Sequence, residues 1–374
     1  MSTELILTEI ESNIEKVHTQ SLDLSFNELL SMYENHELDI SPDYQRLFRW
    51  SEGARSRFIE SLILEMPVPP IYVVETESGT YQLIDGLQRF SSYLHFRGEL
   101  EARHMGVSKG DFLVLSDCDI INSINGLKFD DLPMALKIKL KRSFVRVEVV
   151  RKGSDKKFKY HMFKRLNTGG EELTEQQIRN CTIRMLDPKF NDFIISLSES
   201  TDYAKCVSNL SDSQRYGSYD QELVLRYFAL KNNRAGFKHD VADFMTEYME
   251  SVASEKIEFN YEENESNFRK VFELFNKAHE DKIFGRLNSQ NDKLQSNFGI
   301  YHFESLCIGI QCVIDKIDTN NDSHIEKFAS TVIELKRDAD FKTETTGGGK
   351  NSTGLLNKRI GIAEAFFSEA FCEK

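Results

Sequence analysis

The chain of 374 residues has six cysteines and no Cys-x-x-Cys pair, and none of the six (Cys118, Cys181, Cys206, Cys307, Cys312, Cys372) has histidines beside it at metal-ligand spacing. That pattern excludes a zinc ribbon and a disulfide framework and reads as reduced, mostly buried thiols. No apolar run approaches the roughly 20 residues needed to span a bilayer. The start M-S-T-E-L-I-L-T-E-I lacks the basic opening and small-residue cleavage site of a signal peptide. The expectation is a cytoplasmic protein with no membrane partner and no protein-built metal centre.

Histidine is sparse, and none sits beside a serine or cysteine in a nucleophile signature. His279, His302 and His324 stand singly on predicted helices with no Glu-His-x-x-Pro type sequence next to them, so this chain is not expected to be a complete nuclease by itself. There is no internal repeat. There is no Walker A loop either: in T-T-G-G-G-K-N-S-T-G, Lys350 is followed by Asn351 instead of Ser or Thr, and the stretch 345–354 reads as a flexible surface loop.

What is present is an ordinary globular composition, 40% hydrophobic and 29% charged, in a chain long enough for two domains. The net charge of -13 argues against nonspecific coating of nucleic acid. Its distribution is uneven. Between Lys137 and Arg165 twelve Lys or Arg face two acids, a local net of +10, whereas Asp240 to Glu265 holds nine acids against Lys256. The basic stretch is either a solvated face or a dock for a polyanion, and Lys139, Lys141, Arg142, Lys156 and Lys157 are its candidate DNA contacts.

Local signals place the elements. Ser25 to Glu28 is a capping box that opens an amphipathic helix with Phe26, Leu29, Leu30 and Tyr33 on one face. Ser51 caps a second helix to about Glu65, with Phe58, Ile59, Leu62 and Ile63 as its buried stripe and Trp50 packed onto it, before Met66-Pro67-Val68-Pro69-Pro70 ends it. Ile71–Glu75 and Tyr81–Ile84 read as a hairpin across Ser78-Gly79. A helix from Leu87 to about Arg97 follows, then a short helix at 132–140 and a strand from Phe144 to Val150 that alternates Val145, Val147, Val149 with Arg146 and Glu148. Lys156 to Leu166 reads as a helix. After a second capping box at Thr174 to Gln177, the segments near 185–200, 219–232, 238–252, 264–280, 298–316 and 323–338 all carry helical periodicity.

The feature that bears chemistry is Y-Q-L-I-D-G-L-Q-R, residues 81–89: a strand, an Asp-Gly turn and an arginine three residues after the glycine, in the first turn of a helix. Helix N-termini leave N–H groups unpaired and favour a phosphate. Gly86 lets the backbone approach, and Arg89, off the apolar face set by Leu87, Phe90 and Leu94, is free to fork onto two oxygens. Asp85 suits a hard cation such as Mg2+, or orients a water, and its structural alternative is to cap the helix. Gln45 and Gln88 suit a water or a base edge. Arg46 and Arg89 suit phosphate, or else a bridge to Asp43 or Asp85.

The set Tyr44-Gln45-Arg46, Trp50, P-V-P-P-I-Y (67–72), I-D-G-L-Q-R (84–89) and F-K-R-L-N-T-G-G (163–170) before L-T-x-x-Q-I-R-N resembles the GmrSD restriction endonuclease N-terminal domain family. The resemblance covers roughly residues 21–185. It implies a ParB/sulfiredoxin-like N-terminal domain with a small mixed sheet over 15–180, and with the helical periodicity of the second half, read as a helical domain over 181–374, the expected fold is α+β. It also implies a nucleoside triphosphate bound, and in some members hydrolysed, at a D-G-Q-Q-R corner, in antiphage systems that act on modified DNA with a separate HNH-type nuclease. Carried over by position, the corner is Asp85, Gly86, Gln88 and Arg89, with Gln45, Arg46 and Asn167 beside it. Asp85, Gln88 and Arg89 are then the candidate catalytic groups. Leu87 replaces the first glutamine and brings no hydrogen-bonding group, which separates binding from hydrolysis. The other reading is a non-catalytic DNA-recognition or adaptor module that grips backbone phosphate with the same corner.

Overall fold

The computed structural model describes residues 7, 10–11, 18–40, 50–102, 106–154, 162, 174–183, 186–238, 240–288, 290 and 293–372. The chain forms two compact units, Met1–Glu171 and Glu172–Lys374. It is α+β, with all of its described strands in the first unit.

The first unit is built on a five-stranded mixed sheet of order β1-β5-β3-β4-β2. β1 (Thr19–Ser25) runs antiparallel to β5 (Phe144–Val150), β5 runs parallel to β3 (Ile71–Glu75), β3 antiparallel to β4 (Tyr81–Asp85), and β4 parallel to the short β2 (Leu38–Asp39). The hairpin and the alternation in β5 are as the sequence indicates, since Val145, Val147 and Val149 are buried and Arg146 is exposed. β1 is an addition: Leu22 and Leu24 alternate with Ser21 and Asp23, and pairing along all seven residues of β5 makes a strand of a polar stretch.

Three helices share a core with this sheet. α1 (Phe26–Glu34) starts at Ser25, whose hydroxyl accepts the Glu28 N–H, and α2 (Glu52–Ile63) starts at Ser51, which accepts the Ala54 N–H. α3 (Leu87–Phe96) follows β4 directly. Phe26, Ile59, Phe90, Tyr93 and Leu94 are fully buried and share a core with Val73, Leu83 and the three valines of β5. Truncating a ring there, such as Phe90→Ala, removes burial and leaves a cavity, a loss of about 3–5 kcal/mol. α4 (Met134–Arg142) leads into β5.

The second unit is helical throughout its described residues: α5 (Glu175–Ile183), α6 (Pro188–Ser198), α7 (Thr201–Cys206), α8 (Asp212–Tyr216), α9 (Tyr219–Asn233), α10 (Val241–Ala253), α11 (Tyr261–His279), α12 (Ile300–Gly309), α13 (Asp322–Arg337), α14 (Ala339–Thr345) and α15 (Thr353–Phe371). The predicted stripes are buried, among them Leu223, Tyr227 and Leu230 on α9 and Phe268, Val271, Phe272 and Phe275 on α11. The rings of Phe268 and Phe272 lie 4.4 Å apart, within a cluster that extends to Tyr227 and Phe228. α12 crosses α15 so closely that a Cβ on Gly309 would sit 2.6 Å from the Cβ of Ala363. The flexible loop expected at 345–354 is shorter and tied down. α14 and α15 take its ends, the Lys350 N–H donates to the Tyr301 hydroxyl (3.1 Å), and the Lys350 carbonyl accepts from Arg359 (2.7 Å).

No helix among the described residues is long and apolar enough to cross a membrane. Cys118, Cys206 and Cys307 are buried free thiols, as expected, while Cys312 is exposed. No group of three or more His, Cys, Asp or Glu among the described residues could hold a metal ion.

Candidate functional site

The corner forms where β4 ends. Val73 pairs with Leu83 but Tyr72 pairs with Asp85, so Ile84 is an extra residue in β4, and this bulge re-aims the strand end. Gly86 then turns the chain at φ 104° and is the N-cap of α3. Only glycine suits this position, because the conformation is left-handed and a Cβ would meet Cγ1 of Ile71 at 2.7 Å. With no side chain at the N-cap, the first turn of α3 has no side-chain cap bond. Its N–H groups carry the positive end of the helix dipole.

Arg89 belongs to that turn. Of the two expectations for it, free for phosphate or bridged to Asp85, the bridge is present: Nη2 donates to Oδ2 of Asp85 at 2.8 Å, and Nη1 donates to the Pro69 carbonyl at 2.9 Å. The Arg89 side chain is 12% exposed and that of Asp85 35%. Asp85 does not cap α3; it pairs with the arginine one turn on, which partly neutralises the corner. Leu87 packs against the core of the unit, which accounts for an apolar residue at that place in the motif.

Gln88 is engaged as well. Its Oε1 accepts the backbone N–H of Trp50 at 3.1 Å, and the Trp50 carbonyl accepts from Nε of Arg55 at 2.7 Å. The Trp50 ring meets Phe58 at 5.8 Å, edge to face, so Trp50 packs onto α2 as its position before Ser51 suggests. Arg55, 3% exposed, also contacts Nδ1 of His95 at 3.0 Å. Burial first, and the Arg55 charge second, lower the His95 pKa to about 4, so its imidazole is neutral. Sequence reading missed Arg55 and His95. The signal for Arg55 was there, since Arg55, Phe58, Ile59 and Leu62 share one helix face and an arginine on a buried stripe needs partners.

The other candidates are placed as follows. Gln45, Arg46, Asn167, Lys156 and Lys157, and the helix read at 156–166, lie outside the described residues. Lys141 and Arg142 are exposed at the end of α4. Lys139 pairs with Glu65 at 3.1 Å, Arg146 with Asp23 at 3.3 Å and Arg151 with Glu75 at 3.5 Å, so much of the described basic stretch is locally compensated. In the L-T-x-x-Q-I-R-N segment, Thr174 and Gln177 cap α5 reciprocally. Arg179, 2% exposed, donates to Thr246, the Ala242 carbonyl and Glu222. That segment spends its polar groups on building the helical unit. Of the three histidines weighed for nuclease chemistry, His302 is 5% exposed, His279 Nε2 meets the Ala329 carbonyl at 3.0 Å, and His324 Nδ1 accepts the Asp318 N–H.

The helical unit also has an open cavity of about 590 Å³ lined by Lys231, Arg234 and Lys270 together with Glu263, Asp315 and Glu364. Three cations are matched by three carboxylates, so its charge does not favour a polyphosphate over any other polar molecule.

No curated protein and no solved structure matches the chain. Residues 26–184 match the model of one family, described as the GmrSD restriction endonuclease, N-terminal domain, and the strand-to-helix corner lies inside that span.

Proposed function

We propose that the first unit binds a nucleoside triphosphate at the Asp85–Arg89 corner and acts as the nucleotide-responsive module of a restriction-type antiphage system. The observation that carries the reading is Arg89: a guanidinium whose side chain is 12% exposed belongs to the first turn of α3, a turn without a side-chain cap bond, so one turn carries two kinds of phosphate donor. Mg2+ would arrive with the triphosphate and meet Asp85, the one carboxylate of the motif. Hydrolysis is a further step for which Asp85, Gln88 and Arg89 are the candidate groups. DNA cutting is assigned to a separate HNH-type nuclease, because His279, His302 and His324 are taken up in packing and backbone contacts.

Calorimetry with ATP, GTP, CTP and UTP, with and without Mg2+, tests this reading. One or more should bind, Arg89→Ala should abolish binding, and phosphate release should be sought with the nucleotide that binds. Absence of binding by all four overturns it.

A second reading, a non-catalytic DNA-recognition or adaptor module, is favoured by exposed Lys141 and Arg142. Gel shifts on plain and modified DNA at two salt concentrations separate the two, because phosphate contacts weaken steeply with salt. No shift at low salt removes it.

A further inference from the structure

The cavity of about 590 Å³ in the helical unit is lined by residues of α9, α11, α12 and α15 and of the turns beside them. Small-molecule sites span roughly 300–1,000 Å³, so its size suits one. Of its six charged lining residues, Arg234 and Glu364 pair with each other at 2.9 Å. The other four, Lys231, Lys270, Glu263 and Asp315, close no ion pair among the described residues. They are near enough to act through space: burial lowers the Lys231 pKa, and the charges of Glu263 and Asp315 oppose that shift. The Lys231 amine donates to Oδ1 of Asn264 at 3.0 Å instead. Both signs of charge therefore line one cavity without being spent on each other.

Two lining amides are held in fixed orientations. The Tyr227 hydroxyl donates to Oδ1 of Asn267 at 2.6 Å, Nδ2 of Asn267 donates to Oε1 of Gln311 at 3.0 Å, and Nε2 of Gln311 donates back to the Tyr227 oxygen at 3.0 Å. Tyr227 is fully buried, so this closed ring of bonds anchors the amides to the core of the unit. Leu230, Ile308 and Ile314 add apolar surface. A polyanion here would meet three carboxylates, and a polycation would meet three cations. A molecule with one group of each sign finds a partner for both, and a side-chain amide, donor and acceptor at once, is matched by a peptide group.

We propose that this cavity binds a free amino acid or short peptide, with its ammonium group on Glu263 and Asp315, its carboxylate on Lys231 and Lys270, and its peptide group on Asn267 and Gln311. The site belongs to the helical unit alone and does not rest on the nucleotide reading above.

The test uses the full chain and, as probes, the natural amino acids and the dipeptides Gly-Gly, Ala-Leu and Ala-Phe, each beside its N-acetylated, C-amidated form. Calorimetry should show one-to-one binding of at least one free probe, with its doubly blocked form at least about tenfold weaker. Asp315 is exposed and Lys270 half-buried, so Asp315→Asn and Lys270→Met leave the core packing in place. Each should weaken binding of that probe about tenfold, while Glu247→Gln, at an exposed acid outside the cavity lining, leaves it unchanged. Circular dichroism confirms that the variants are folded. Binding of no free probe overturns the proposal, as does equal binding of the blocked forms. Unaltered affinity in both Asp315→Asn and Lys270→Met places the ligand elsewhere and overturns it too.

Discussion

Nη2 of Arg89 lies 2.8 Å from Oδ2 of Asp85, so the two charges of the corner are spent on each other. A phosphate entering here competes with Asp85 for the guanidinium. Asp85→Asn removes that competitor and a like charge, and should tighten Mg2+-free nucleotide binding by about 0.5–1 kcal/mol, a few-fold in affinity. Any contribution of Mg2+ should be lost with the carboxylate. Calorimetry with and without Mg2+ reads both effects, and weaker Mg2+-free binding by the variant would show that Asp85 holds Arg89 in its working position.

Gly86 is fixed by two independent constraints, a φ of 104° and a neighbour at 2.7 Å. Gly86→Ala should therefore cost about 1–3 kcal/mol of stability through strain and overpacking. Because the displaced atoms belong to Ile71, next to the strand end that carries the corner, nucleotide binding should fall as well. Urea denaturation gives the first quantity and a binding titration the second; a stability equal to wild type would contradict the close approach.

In the helical unit, Glu304 is 2% exposed and receives Arg359 at 2.5 Å and Arg226 at 3.0 Å. Removing one partner strands the other charge in the interior. Glu304→Ala should cost about 3–5 kcal/mol, more than any of the surface pairs along the basic stretch, which are worth about 0–1 kcal/mol each. Denaturation of Glu304→Ala beside a Lys139→Ala control measures the difference, and comparable losses would refute it.

Lys336 is 2% exposed and donates to the carbonyls of Ile283 and Gly285, and burial lowers its pKa to about 7. The folded chain thus gives up this proton near pH 7 while the unfolded chain keeps it to an ordinary lysine value. Between these limits the unfolded state binds more protons, so this group makes stability rise with pH from about 7 to about 10.5. Below pH 7 both states are protonated and its contribution is flat. Lys336→Met should flatten the rise, as followed by urea midpoints at several pH values in that window; an unaltered slope would place its origin elsewhere.

The local sequence was a good guide where the physics is local. Ser25, Ser51 and the Thr174–Gln177 box cap helices because a side-chain oxygen reaches an N–H two or three residues away. The turn at Gly86 and the helix after it follow from the same short range. The hairpin, the strand at Phe144–Val150 and the helical second half were legible too, from alternation in the strands and helical spacing in the helices, while the small mixed sheet was implied by the family resemblance. Near the corner the sequence left alternatives that the fold decided: Asp85 does not cap the helix and Arg89 is not free, and the bridge between them, which the i,i+4 spacing also allowed, is the arrangement present.

By itself, then, the sequence determined the strand–turn–helix corner, the capped helix starts at Ser25 and Ser51 and the family resemblance of residues 26–184, all carried by neighbours along the chain. Tertiary structure alone decided that Thr19–Ser25 is a strand, since its partner Phe144–Val150 is more than a hundred residues away. It also decided that Arg89 reaches the Pro69 carbonyl and that Gln88 and Arg55 close on Trp50. The physical reason is that a buried donor or acceptor must find a partner wherever the fold brings one, and no local pattern records which group will be there.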